Sequence, residues 1–396
     1  MLEALLEALD GELRSAQELR RRLHEAPELA HAEHATAATI EAALPIAAQT
    51  VAGTGLLARV GAGEPGTAVA VRAELDGLPM REQTGAAFSA RGETMHACGH
   101  DVHMAALVAL VRAAHAVAGE LPAPLVAIFQ PSEEAYPSGA QAIAGDVPPE
   151  LAPRAVVAAH VHPEVAWGSV ALDAGAVNAS CDAIEIEIVG EPTHGAYPHL
   201  GRDPVLALSE AVVALHAAAG RRIDPLHPAT LTIGVLEAGN AENVIPRSAR
   251  ARGALRAHRE SDRELLRELS SEVVAGVAAA HGCHGEVRLT PGEPVLENDA
   301  AIVTRARALL AGAGLALAPP WRSCGSDDFS FFAAQAPLAM AFVGLAGAPG
   351  FLARPLHHPQ LLPPAEAVAA VARTQAVLYV AATQQPAAGV GEDVAR

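Results

Sequence analysis

The middle of the chain restricts the fold most. A period-two alternation marks a strand at 183–189, followed by a helical stretch at 203–219, strands at 230–236 and 249–256, a helix at 261–282 and a strand at 286–289. This β-α-β-β-α-β order is that of the split ferredoxin-like unit. Roughly 110 residues suffice for such a unit to stand alone. On both sides the pattern differs. Leu2, Leu6, Leu9, Leu13, Ala16, Leu19 and Leu23 recur every three or four residues and open the chain with an amphipathic helix. Apolar strands at 56–60, 68–73, 125–129 and 155–159 alternate with helices at 103–118 and 139–145. After Pro291 the alternation resumes, with a helix at 300–311, a strand at 338–343 and a helix at 364–382. Such alternation predicts an α/β domain built on a mixed, mostly parallel sheet. We therefore expect a large domain made of 1–177 and 293–396, interrupted by a smaller α+β domain at 178–292, with only the tail beyond Gln384 disordered. A chain of 396 residues exceeds the roughly 250–300 at which single cores stop growing, which agrees.

Composition narrows the chemistry. Apolar residues make up 51% and charged residues 18%, as in a well-buried globular protein. The net charge of −18 repels phosphate backbones and anionic lipid, so neither nucleic acid nor membrane is an expected partner. All 27 basic residues are Arg, which excludes Schiff-base and phosphate-loop chemistry that needs Lys. The 18 His point instead toward metal ligation or acid/base work. Cys98, Cys181, Cys283 and Cys324 are far apart and form no C-x-x-C pair, so a zinc ribbon or disulfide scaffold does not fit. The first residues mix acids with apolar groups, and the longest apolar run, 102–118, carries His103, Arg112 and His115. These features predict a cytoplasmic protein without a membrane span.

Four clusters carry candidate chemistry. Cys98 and His100 lie two apart in a glycine-containing loop ahead of a helix, a spacing that suits either one metal region or a buried thiol in a His-rich turn. Glu133 and Glu134 follow the apolar strand at 125–129, where ligand sites of open α/β sheets form. Either one binds metal while its neighbour does other work, or both are solvated acids at a helix start. His160 and His162 follow the strand at 155–159, and His357 and His358 lie near the C-terminus. Together they suit two borderline metals sharing one site.

The strings HACGHDVH, FQPSEE, AHVHP, PTHGAYPHLGRDP, NVIP, GSDDFSFF and LHHP occur in the order seen in the two-metal aminoacylase and carboxypeptidase superfamily. More narrowly the chain resembles its amidohydrolase branch, which includes hippurate hydrolases, indole-acetyl-amino-acid hydrolases and N-acetyl-amino-acid deacetylases. The match runs from about residue 22 to 359. The resemblance implies a metallopeptidase-like catalytic domain interrupted by a ferredoxin-like lid or dimerisation domain, in a homodimer. It implies that Cys98, His100, Glu134, His160 and His357 bind two divalent ions, zinc or manganese first and cobalt or nickel next, with Cys98 in the place of a bridging carboxylate. Glu133 then acts as general base. His194 polarises the scissile carbonyl, within its own chain or from a neighbouring subunit, and Asn243 and Arg256 receive the substrate's carboxylate. The implied reaction releases a carboxylic acid and an amino acid from an N-acyl amino acid. A dipeptidase or carboxypeptidase using the same site is the alternative, and a metal-independent thiol hydrolase using Cys98 a remote one.

Departures from the branch concern specificity. Pro192-Thr193-His194 replaces the common Gly-Gly-His, and Tyr136, in a longer link after Glu134, is placed to line the acyl pocket. His103, His162, His199 and His358 are read as groups that orient ligands or as surface histidines. Asp76 and Asp101 are read likewise, as acceptors for ligands or as turn and cap residues. Cys181, Cys283 and Cys324 are read as small packed residues.

Overall fold

The computed structural model describes residues 1–148 and 151–384, so the tail expected to be disordered lies outside the described residues. It divides into two compact units: Met1–Gly175 with Glu297–Trp321 and the chain from Phe331 onward, and Ala176–Leu296 with Arg322–Ser330. The short segment Arg322–Ser330 belongs to the second unit, whereas the sequence places it in the larger domain.

The larger unit is built on an eight-stranded mixed sheet. Its centre is four mutually parallel strands, in the spatial order Leu125–Gln130, Ala68–Glu74, Pro153–Ala166 and Leu338–Ala346. All seven residues of Ala68–Glu74 are buried, as befits a central strand covered on both faces. The helices His100–Ala116 and Ala367–Thr383 pack on this sheet, and the opening helix, Leu2–Glu25, packs over both. Its buried side is Leu5, Leu6, Leu9, Ala16, Leu19 and Leu23, close to the stripe read from the sequence. Among the described residues no helix is long and apolar enough to cross a membrane.

Two boundaries differ from expectation in ways that shape the site. The helix His100–Ala116 begins at His100 rather than at residue 103, because Gly99 takes a left-handed conformation, φ 84°, and turns the loop directly into the helix. A Cβ on Gly99 would also lie 2.5 Å from Val161 Cγ2. Gly99→Ala should therefore cost about 1–3 kcal/mol and weaken metal uptake, since ligand candidates flank it; thermal melting and metal titration check this. The second difference is the strand Pro153–Ala166, which continues well past residue 159. Pro163 fits within it because its neighbour Ala68–Glu74 has already ended and pairing with Leu338–Ala346 becomes irregular beyond Gly344.

A buried ionic network holds the start of the helix His100–Ala116. Asp101 Oδ2 accepts from Arg20 Nε at 2.8 Å and from His24 Nδ1 at 3.0 Å, and His24 Nε2 meets Glu82 Oε1 at 3.2 Å. Burial alone would lower the pKa of His24, but Asp101 and Glu82 together hold it up at about 9. A histidine whose pKa rises on folding stabilises fully below its unfolded value, near 6.5, and that contribution is lost as pH climbs through 9. Stability should thus fall by on the order of 3 kcal/mol across that window. Urea unfolding at pH 6 and pH 9.5 tests this, and His24→Gln should flatten the dependence.

The smaller unit contains the strands Ser180–Val189, Ala229–Ala238, Ser248–Ala257 and His284–Pro291 with the helices Pro204–Arg222 and Glu260–Ala280. The strands form an antiparallel sheet in the order Ala229–Ala238, Ser248–Ala257, Ser180–Val189, His284–Pro291, the ferredoxin-like arrangement that the sequence predicts. Asp203 caps the first helix through the Val205 and Leu206 amides, with Pro204 in the first turn. Asp182 is buried beneath Arg263 and Arg267, at 2.6 and 2.8 Å. Cys324 is exposed rather than packed, while Cys181 and Cys283 are half-buried.

Candidate active site

The parallel strands deliver the site at their carboxyl ends. Glu74 pairs in register with Gln130, and Arg72 with Ala158, so Glu74, Gln130 and His160 stand at one level of the sheet. From Gln130 the chain turns through Ser132, whose φ is 52°, into Glu133 and Glu134. Hydrogen bonds offset the strain of this turn. Ser132 N donates to Glu33 Oε1 at 2.8 Å, and Ser132 Oγ lies 2.9 Å from His31 Nδ1. The sequence alone assigns no role to His31 or Glu33, although both lie in the run His31-Ala32-Glu33-His34. His357 also has a positive φ, 62°, and its amide donates to Ala97 O at 2.8 Å, tying the C-terminal loop to the loop that carries Cys98.

The five ligand candidates converge. Cys98, Glu134 and His357 each place a ligand atom within 4.8 Å of the others, and so do His100, Glu133 and Glu134. Cys98 Sγ is 3.5 Å from His160 Nε2, His357 Nε2 is 3.2 Å from Glu134 Oε1, and His100 Nε2 is 3.9 Å from Glu133 Oε2. Cys98 thus lies close both to His160 and to the Glu134–His357 pair.

Ring orientations suit metal ligation. His100 Nδ1 donates to Asp76 O at 2.9 Å and His160 Nδ1 donates to Val161 O at 2.7 Å, which turns both Nε2 atoms toward the cluster. Among the described residues, His100 Nε2 and Glu134 Oε1 have no hydrogen-bond partner of good geometry, although both are sealed from solvent. Orphaned buried polar atoms of this kind, beside a thiol and further imidazoles, fit a pair of divalent cations. The local field agrees. Burial would lower the His100 pKa, yet Glu74, Asp76 and Glu134 raise it to about 10, a field that favours positive charge at Nε2. Asp76 Oδ2 accepts the Glu134 amide at 2.9 Å. Burial pushes the Asp76 pKa up, but His100 and the Glu133 and Glu134 amides bring it below the usual carboxylate range.

The remaining histidines separate clearly. Both nitrogens of His103 are engaged, with Glu74 at 2.8 Å and the Val161 amide at 3.0 Å. His162 accepts from Glu164 N at 3.3 Å and packs against Trp321 at a 49° tilt, with ring centroids 4.0 Å apart. His358 Nδ1 accepts from Gln360 N, and His199 is exposed. Asp101 serves Arg20 and His24, not a ligand candidate. Tyr136 is exposed.

In the smaller unit, His194 pairs in register with Val244, and Gly195 N donates to Asn243 O at 2.7 Å, so His194 and Asn243 share one exposed ribbon. Arg256 lies elsewhere, near the far end of Ser248–Ala257, where it donates to Cys324 O at 3.1 Å. The unit does not bring Arg256 to His194 and Asn243.

The model of peptidase family M20/M25/M40 matches residues 70–380. This chain belongs to that family. Among its relatives, the N-acetyl-L-cysteine deacetylase of Bacillus subtilis (strain 168) is 33% identical over 334 residues, 83% of this chain and 80% of that one. The N-acetyldiaminopimelate deacetylase of Bacillus licheniformis is 31% identical over 372 residues, 91% and 96% of the two chains. A solved dinuclear metal-binding M20 peptidase of Bacillus subtilis superposes with a TM-score of 0.82 at 28% identity, covering 94% of this chain and 98% of its own. As an M20 family member the chain is a metal-dependent hydrolase of amide bonds with two divalent ions, which sets aside the thiol hydrolase.

Proposed function

We propose that the chain hydrolyses N-acyl amino acids to a carboxylic acid and a free amino acid, with Cys98, His100, Glu134, His160 and His357 holding two ions, zinc or manganese. Cobalt and nickel suit the same donors. When bound, the ions supply charge that acidifies water and polarises a carbonyl. Glu133 takes a proton from the attacking water and returns it to the departing nitrogen. His194 accepts from Ala196 N at 3.0 Å through Nδ1, so Nε2 carries its proton and donates to the developing oxyanion. Asn243 and Arg256 receive the α-carboxylate.

The division between adjacent glutamates carries this reading. Glu134 Oε1 is buried against His357, whereas Glu133 stands beside His100 outside the Cys98–Glu134–His357 group. The deacetylase names of the relatives support the substrate class. The His194–Asn243 ribbon adjoins the Ser248 end of Ser248–Ala257, roughly 26 Å along the strand from Arg256. We therefore assign them to opposite protomers of a homodimer at any one site, with the smaller unit as lid and dimerisation domain. An exposed thiol at Cys324 suits the reducing cytoplasm.

Amidating the substrate's α-carboxylate removes the charge that Asn243 and Arg256 would bind. The expected result is a loss of at least ~10-fold in kcat/KM. Equal kcat/KM for an acyl amino acid and its amide would refute the assignment.

A further inference from the structure

Beneath the metal ligands runs a buried string of hydrogen bonds that the reaction does not use. Arg72, fully buried, donates to Gln130 Oε1 at 2.8 Å and to Glu74. Glu74 Oε2 accepts from His103 Nδ1 at 2.8 Å, and His103 Nε2 accepts from Val161 N at 3.0 Å. The string joins the strand that leads to Glu133 and Glu134 with the strand that carries His160.

Its last link replaces a missing strand bond. Ala68–Glu74 ends at the level of His160, so the Val161 amide has passed the end of that neighbouring strand. A buried amide left unpaired costs about 1–3 kcal/mol. His103 supplies the acceptor from the side, with its ring centroid 4.4 Å from that of His160. With Nε2 accepting from Val161, the ring donates through Nδ1 to Glu74 Oε2, which holds it in that orientation.

We propose that His103 and Glu74 are a positioning pair that fixes the Val161 peptide and thereby aims His160 Nε2 at the metal. The proposal rests on His160 being a ligand. Glu74, His100, His103 and His160 are clustered closely enough to hold an ion, but both His103 nitrogens are already engaged, which fits a positioning role better than ligation.

Asparagine at 103 can still donate to Glu74 but cannot reach the Val161 amide, whereas glutamine places an acceptor near the Nε2 position. Manganese affinity of the full-length protein, measured by competition with a chromogenic chelator, should fall about 10–100-fold in His103→Asn and less than about tenfold in His103→Gln. Parent affinity in a folded His103→Asn protein overturns the proposal. So does the loss of one whole ion per chain with the other held as before, since His103 would then be a ligand. Nitrogen-15 shifts of histidine-labelled parent protein decide the matter if the variants fail to fold: Nδ1 of His103 should be protonated and Nε2 bare, and a doubly protonated ring or the opposite tautomer overturns it. A parent that takes up no divalent ion refutes the metal reading instead, and the nitrogen shifts still test the string independently.

Discussion

Replacing Glu133 with Gln should lower kcat by about 10²–10⁴-fold while both ions stay bound. The two glutamates are neighbours in sequence, yet the turn at Ser132 and the Asp76 contact to the Glu134 amide give them different surroundings. Glu134 Oε1, sealed from solvent beside His357, has no good hydrogen-bond partner among the described residues, as a ligand oxygen awaiting a cation should be. Glu133 keeps a partly accessible carboxylate next to His100, where a proton can be taken up and passed on. The amide of Gln preserves shape while removing charge and basicity, and since Glu133 is not among the proposed ligands, metal content should hardly move. Glu134→Gln should instead lose metal along with activity. If Glu133→Gln loses metal and Glu134→Gln keeps both metal and activity, the roles are reversed.

The site was legible where its chemistry is compact in sequence. Cys98 and His100 are two residues apart and Glu133 and Glu134 adjacent, and the apolar strands ahead of the glutamates and of His160 mark the sheet's carboxyl edge. The alternation at 183–189 and the helices after it made the smaller unit readable for a similar reason, since period and order are local. What the sequence does not show depends on register between distant strands. Arg72 and Glu74 look like the polar end of a strand, and only the pairing of Ala68–Glu74 between two other parallel strands buries them beneath His103. Glu33 reaches Ser132 across 99 positions, and no local pattern encodes that contact. The strand read at 155–159 runs on through Pro163, a residue the ladder tolerates there because one neighbouring strand has already stopped. Cys324 was read as packed because cysteine usually is, although its segment is exposed.

Metal removal and restoration tests the account most directly. Protein purified without chelator should hydrolyse an N-acetyl amino acid; exhaustive dialysis against a chelator should reduce turnover to background, and added manganese or zinc should restore it with saturation near two ions per chain. Cys98, His100, Glu134, His160 and His357 converge as the donors of one metal centre would. Full turnover by protein shown by elemental analysis to be free of metal would contradict the account.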